Sequence, residues 1–434
     1  MTPTDPQLAR RESEELLTFI DASPSPFHAC AEAATRLKGS GFQELAETAV
    51  WPAKSGRYFV VRAGSIVAWA IPAHAKPHTG ARIVGAHTDS PNLRIKPRPD
   101  TGSAGYRQLG VEVYGGVLNN SWLNRELGLS GRAVVGARHG REARLFKVDR
   151  PIAVLPQLAI HLDRSVNDNG LVLDKQAHLT PIWGLGRARE GEFKEWLASE
   201  LGVPPDAVIA WDAMLHDVQP AAFAGVNHEF VAAPRLDNLN SCFCALRGLL
   251  TRLEEKRELE YVAVVCLFDH EEVGSQSHRG AASPLLKDAL ERIVLGRGGS
   301  REDYHRAIAA SVCVSSDMAH AVHPNYREKY EPDHWVSLNA GPAIKLNTNT
   351  RYATDAEGEA HFVAACERAD VPFQRYVHRS NLACGTTIGP VTAANLGIVT
   401  VDVGNPELSM HSVRELAGAH DAAYLIGALR AFFE

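Results

Sequence analysis

No run of about eighteen apolar residues occurs in this 434-residue sequence, so a hydrophobic membrane-spanning helix is not expected. The amino terminus, MTPTDPQLARRESEELL, lacks the apolar stretch of a secretory signal. Without secretion, the sequon match at Asn119-Asn120-Ser121 carries no meaning. Basic clusters are missing too. The 45 Lys and Arg stand against 51 Asp and Glu, a net charge of −6, which argues against nucleic acid as the main partner. The seven cysteines form no CxxC pair and no regular framework. They read as reduced thiols in a cytoplasmic protein; Cys242 and Cys244, although close, receive no role. No HExxH occurs, which excludes the single-zinc helix motif. Internal repeats and low-complexity tracts are likewise absent. What remains is 45% hydrophobic and 22% charged, the balance of a globular chain with two or three domain-sized units.

Residues 8–20 carry a helical period, ended by the Ser-Pro-Ser-Pro turn at 23–26. Residues 27–37 read as a second helix, and 58–71 and 81–86 as strands. From about 94 to 234 the texture changes to short alternating runs broken by glycines, with one helical stretch at 192–201. After Pro234 the α/β rhythm returns. Residues 236–255 read as a helix. YVAVVCLF (261–268) reads as a strand buried on both faces. Further strands are expected at 309–314, 343–346 and 397–403, and a last helix at 415–433. The reading is therefore an α/β sheet domain built from residues 1–94 and 234–434, interrupted by a mostly β insert over 95–233. Such sheets bind ligands at the carboxyl ends of their strands.

Acidic and histidine residues recur where the apolar strands stop. His87 ends the first such strand. Asp89, two residues on, falls on the same side of an extended chain and could orient the imidazole; Asp-Ser-Pro also makes an ordinary turn. Asp237 stands where a helix begins, which suits a metal ligand or a plain N-cap. Glu271 and Glu272 follow the buried strand directly. Neighbouring loop side chains diverge, so one can hold a metal while the other faces a metal-activated water and takes its proton. A solvated acidic loop is the alternative. Asp317 ends another strand, followed by His320 and His323. His411 precedes the last helix and could serve as a structural histidine. Taken together, His87, Asp237, Glu272, Asp317 and His411 make two imidazoles and three carboxylates. That set fits a pair of Zn²⁺-like ions roughly 3.5–4 Å apart sharing one bridging carboxylate.

At these residues the sequence resembles the aspartyl aminopeptidase family of dinuclear zinc metallopeptidases. The resemblance rests on AHTDSP (86–91), LAIHLDR (158–164), RLDNL (235–239), DHEEVGS (269–275), SSDMAHAVHPNY (315–326), AIKLNTNTRYAT (343–354), CGTTIGP (384–390) and MHSVRE (410–415). It spans about residues 19 to 432 in order. It implies a mixed-sheet catalytic domain carrying two Zn²⁺ per subunit, with Co²⁺ or Mn²⁺ also fitting such ligands. His87 and Asp317 would hold one ion, Glu272 and His411 the other, and Asp237 would bridge them. Glu271 would be the general base and Asp89 would orient His87. Lys345 and Tyr352 match positions lining the substrate pocket, and His320 matches one that contacts substrate near the metals. His161 matches a histidine that reaches a neighbouring subunit's active site. The insert would mediate dimerisation and assembly into a homo-oligomer, typically a dodecamer. The family often has Asp-Arg-Asp where this chain reads Asn124-Arg125-Glu126, and residues 115–122 also differ, which touches details of assembly.

The implied reaction removes the N-terminal residue of a peptide, with Lys345 pairing with the side-chain carboxylate of Asp or Glu. A related dinuclear hydrolase is the alternative: a leucine or broad aminopeptidase, a carboxypeptidase or a deacetylase. A non-catalytic assembly protein is the third reading, and retention of Glu271 and every proposed ligand weighs against it.

Overall fold

The computed structural model describes residues 3–137 and 140–434. The chain divides into two units. The first comprises Met1–Asp89, Ala221–Met410 and Glu415–Glu434; the second comprises Ser90–Pro220 and His411–Arg414.

The first unit is built on a nine-stranded mixed sheet. In spatial order its strands are Gln43–Glu44, Gly56–Arg62, Ser65–Ile71, Val262–Phe268, Ala81–His87, Val312–Ser316, Val399–Gly404, Ala343–Leu346 and Gln374–Val377. The four strands from Val262–Phe268 to Val399–Gly404 are mutually parallel. Helices cover both faces, so these strands must be apolar on both sides. Every residue of Val262–Phe268 is buried. One core packs Phe19, Phe243, Phe362 and Leu429 against the sheet, and another packs Leu286, Ile293 and Ile308 on Trp69 and Val264. A five-stranded sheet, Ala222–Ala224, Phe230–Ala233, Glu415–Gly418, Pro406–Leu408 and Ala319–His320, completes the unit.

The second unit is a closed barrel of Val208–Asp217, Asn92–Ser103, Tyr106–Tyr114, Ile182–Leu185, Gly140–Val154 and Glu126–Ala137. Leu93, Leu109, Leu127, Leu129 and Phe193 fill its core. Gly131 has a φ of 149°, and a Cβ there would stand 2.0 Å from the Asp212 carbonyl oxygen, so only glycine fits this strand crossing.

The α/β class, the mixed sheet and the β-rich second unit agree with the sequence expectation. Three element boundaries differ. The apolar stretch 58–71 is a hairpin of Gly56–Arg62 and Ser65–Ile71, turned at Ala63, whose φ is 57°. Ala309 closes the helix Arg301–Ala309, started by a Ser300–Asp303 capping box, and the strand begins only at Val312. The last helix is Asp421–Phe432; residues 415–418 instead form a strand between Phe230–Ala233 and Pro406–Leu408. Tertiary pairing outweighs helical periodicity there. Among the described residues, no helix is long and apolar enough to cross a membrane. All seven cysteines are free thiols, and six are buried.

Candidate metal centre

The carboxyl ends of three adjacent parallel strands meet at one place in the first unit. His87 is the last residue of Ala81–His87 and is 1% exposed. On one side Phe268 pairs with His87 in register, and the short 3₁₀ turn Glu271–Val273 follows. On the other side Val312–Ser316 leads into Asp317. Topology thus gathers an imidazole and carboxylates from points far apart in sequence, at the strand ends where open α/β sheets bind ligands.

His87 Nε2 lies 3.3 Å from Asp237 Oδ1, 3.8 Å from Asp317 Oδ2 and 3.9 Å from Glu271 Oε2. His87, Asp237 and Glu272 each offer one ligand atom within 4.8 Å of the others. An imidazole with carboxylates is a donor set that Zn²⁺ takes, and the charge balance agrees. Burial pushes the Glu271 carboxyl up; His87 opposes this, but the nearby Asp317, Asp89 and Asp237 add to it, and the carboxyl ends at about 8. Burial pulls the His87 imidazole down, yet hydrogen bonds with Asp237, Asp317 and Asp89 outweigh it and leave it well above its ordinary value. Crowded negative charge around one imidazole is what a divalent cation relieves. The residues fit the metal.

Asp89 is fully buried. Its backbone oxygen is 2.9 Å from His87 Nδ1, and its carboxylate Oδ1 is 3.5 Å from the same nitrogen. The carboxylate also accepts the backbone N–H groups of Glu271 and Glu272, each at 3.1 Å. The sequence signals a contact of Asp89 with the imidazole; that its carboxylate also accepts from the loop carrying both glutamates is seen only in the fold.

Asp237 sits at a break near the start of its helix: residues 237 and 238 keep non-helical backbone angles within Leu236–Glu254. The Asp237 N–H donates to Glu415 Oε2 at 3.1 Å. Asn238 donates through Nδ2 to the Ser316 carbonyl at 2.9 Å, tying this segment to the strand that ends at Asp317. Cys242 donates its thiol to the His87 carbonyl. Sequence reasoning missed Asn238 and Cys242, although Asn238 lies inside RLDNL.

A second cluster adjoins Asp317. Lys345 is 3% exposed; its ammonium donates to the Met318 carbonyl at 2.8 Å and stands 3.8 Å from Asp317 Oδ1. The Tyr352 ring lies 5.3 Å from that ammonium. Lys345 pairs in register with Tyr376, whose ring is 6.4 Å from Tyr352 and 5.9 Å from His320. Tyr376 bonds through its hydroxyl to His378 Nδ1 at 2.6 Å. Tyr376 and His378 have no signal in the sequence, because only the parallel pairing of two distant strands places them beside Lys345. Asp402, fully buried, accepts from the Ala353 N–H at 2.5 Å and from Thr387 Oγ1 at 2.6 Å, which fixes the residue after Tyr352.

Two predicted residues belong to the second unit. His161 is exposed on the 3₁₀ turn Ile160–Leu162. His411 has a φ of 67°, and its Nδ1 is 3.1 Å from the Gly116 carbonyl oxygen.

Residues 19–433 match the family described as Aminopeptidase I zinc metalloprotease (M18). The chain belongs to the M18 aminopeptidase family. It is 54% identical over 426 residues to the "Probable M18 family aminopeptidase 2" of Streptomyces coelicolor, covering 98% of each chain. A protein of the same description from Mycobacterium tuberculosis is 50% identical over 421 residues, covering 96% of each. Among solved structures, the chain resembles one from the Ape4 and Nbr1 complex, with TM-score 0.94 and 37% identity over 100% of this chain and 87% of that one. It also resembles the S. cerevesiae mApe1 dodecamer, with TM-score 0.85 and 27% identity over 98% and 96%. This M18 chain is thus a zinc aminopeptidase by family, and His87, Asp237 and Glu272 form a group that could hold a metal ion.

Proposed function

We propose that this M18 aminopeptidase removes Asp or Glu from the N-terminus of peptides, using two Zn²⁺ per subunit, in a cytoplasmic homo-oligomer. The observation that carries the acidic preference is Lys345, a buried ammonium 3.8 Å from Asp317 Oδ1. An ammonium at the edge of a metal centre pairs with a substrate carboxylate and rejects a substrate cation.

His87, Asp237, Glu272 and Asp317 are the proposed ligands in the first unit, and His411 is kept as a further ligand on the family resemblance. Bound Zn²⁺ supplies Lewis acidity for the scissile carbonyl and for the attacking water. Glu271 is the proton carrier: its Oε2 takes a proton from the attacking water and returns it to the leaving amine. Asp89 keeps Glu271 and Glu272 in place through their N–H groups. His320 and Tyr352 line the pocket with Lys345, and Asp402 steadies the Tyr352 loop.

The barrel unit is the proposed assembly element, with His161 on its exposed face meeting a neighbouring subunit. The dodecamer named for the mApe1 relative supports a homo-oligomer here. Neither nucleic acid nor membrane is a proposed partner.

The test is turnover of Asp-, Glu-, Leu- and Lys-anilides before and after chelation and Zn²⁺ or Co²⁺ add-back. Metal-dependent turnover favouring Asp and Glu is expected. Metal-dependent turnover favouring Leu would keep the mechanism and overturn the specificity.

A further inference from the structure

A cleft of about 540 Å³ opens beyond Lys345 in the first unit. That volume is typical of ligand sites, which span roughly 300–1,000 Å³. Two chain segments build it. One is Leu346 to Arg351, leaving the end of the strand that carries Lys345. The other is Val377 to Cys384, leaving the parallel neighbouring strand. The two strands run side by side in one direction, so both exits fall on the same edge of the sheet.

The charge of this cleft is one-sided. Arg351 and Arg379 line it together with His378, which bonds to Tyr376 beside Lys345, and no Asp or Glu is among the described residues of its wall. The chain as a whole has a net charge of −6, so the bias is local. Both guanidiniums are satisfied by neutral acceptors. Arg379 donates to Asn381 Oδ1 at 2.9 Å and to the Tyr330 carbonyl at 3.1 Å. Arg351 donates through Nε to the carbonyls of Cys384 and Gly385, both at 3.2 Å. These bonds use only part of each guanidinium's five donors and leave its positive charge uncompensated. The wall also offers the amides of Asn347 and Asn349.

We infer that this cleft binds carboxylates of the peptide downstream of its first residue, with Arg351 and Arg379 as the recognising groups. This rests on the proposed reading of Lys345 as the partner of the first side chain. A peptide held there extends its second and third residues along the strand exits, past His378 and toward the two guanidiniums. Acidic residues at those positions then gain a partner, and basic residues meet like charge without one. The enzyme is accordingly selective for acidic peptides over more than one position.

Two measurements test this. The first is isothermal titration of the full-length protein with acetyl-Glu-Glu-amide, acetyl-Lys-Lys-amide and inorganic phosphate. The blocked peptides cannot be processed as aminopeptidase substrates, so this arm reads the cleft whatever the activity proves to be. The glutamate peptide is expected to bind at least roughly fivefold tighter than the lysine peptide, the upper range for one partly exposed ion pair. The double variant Arg351→Gln/Arg379→Gln should remove most of the difference, leaving only what Lys345 supplies. The Arg351→Lys/Arg379→Lys variant, which keeps the charge, should retain most of the difference and shows that loss in the glutamine variant is not loss of folding. Equal binding of both peptides to the wild type, an undiminished difference in the glutamine variant, or phosphate binding as tightly as the glutamate peptide would each overturn the inference. The second measurement is the ratio of kcat/KM for Asp-Glu-Ala over Asp-Lys-Ala. A ratio near one with robust cleavage of both sinks the cleft assignment and spares the proposed function. Failure to cleave any acidic-first substrate with zinc bound sinks the proposed function, and the titration still decides the cleft.

Discussion

The Lys345 ammonium stands 3.8 Å from the Asp317 carboxylate, with both side chains buried. In the proposed reading it has two tasks: to balance a metal ligand and to meet the substrate carboxylate. Lys345→Met should lower the preference for Asp over Leu substrates by about a hundredfold, the scale of truncating one partner of a buried charge pair. Comparison of kcat/KM for the two anilides measures it, and an unchanged ratio would remove Lys345 from the specificity pocket.

Asp89 contacts His87 and the loop carrying Glu271 and Glu272. Asp89→Ala leaves the Glu271 and Glu272 N–H groups without their acceptor. Metal affinity or kcat should fall by roughly 10- to 100-fold, as when other supporting carboxylates are removed. Zinc content after dialysis and steady-state kinetics separate the two effects. Wild-type values for both would show that the loop stands without Asp89.

Glu271→Gln keeps the shape of the side chain and removes its proton-carrying capacity. A fall in kcat of about 10²–10⁴-fold with zinc content unchanged is expected. Activity close to wild type would transfer the proton step to another group.

Removing the metal should cost stability as well as turnover, because the centre crowds carboxylates in a buried place. Zinc at a hundred times its dissociation constant should stabilise the fold by about 2.7 kcal/mol. Thermal unfolding with and without chelator reads this directly. Identical curves would mean that the buried carboxylates are balanced without a cation.

Asp421 predicts a pH dependence away from the metal. Burial pushes its carboxyl up from 3.8 to about 7, against the opposing N–H donors of Asn339 and Gly341. A pKa raised in the fold stabilises below the unfolded value, and that contribution is lost as pH rises through the folded one. Stability should therefore decline between about pH 4 and 7, at a slope of up to about 1.4 kcal/mol for each step of one in pH. Asp421→Asn should flatten that decline in denaturant titrations across the range. An equal slope in the variant would assign the dependence elsewhere.

Much of this molecule is legible in its sequence because parallel strands announce themselves. Val262–Phe268 is apolar throughout since helices cover both of its faces, and the residues that follow such strands are displayed at one edge. That logic alone finds His87, Glu271 and Asp317. It leaves Asp237 open, because a carboxylate at a helix start also reads as a cap; only the fold shows that its neighbour Asn238 ties this segment to the strand ending at Asp317. The double use of Asp89 is hidden, since the loop it anchors is 182 residues away. Tyr376 and His378 depend on which strand lies next to Lys345, and periodicity holds no information about neighbours. Residues 415–418 mislead for the same reason: their helical pattern is real, but two waiting strand edges claim them.

The barrel unit is assembled from two pieces of chain, and the second is only the four residues His411–Arg414. Those four are held by the Leu118 N–H on the His411 carbonyl and by Ser121 Oγ on the Val413 N–H. The unit is therefore not a cassette. A graft that exchanged residues 90–220 for those of a distant relative would keep the host's His411–Arg414 and discard the partners that shape it. Chimeras of this enzyme must carry the tetrapeptide with the barrel, and natural variation at 116–121 should track variation at 411–414.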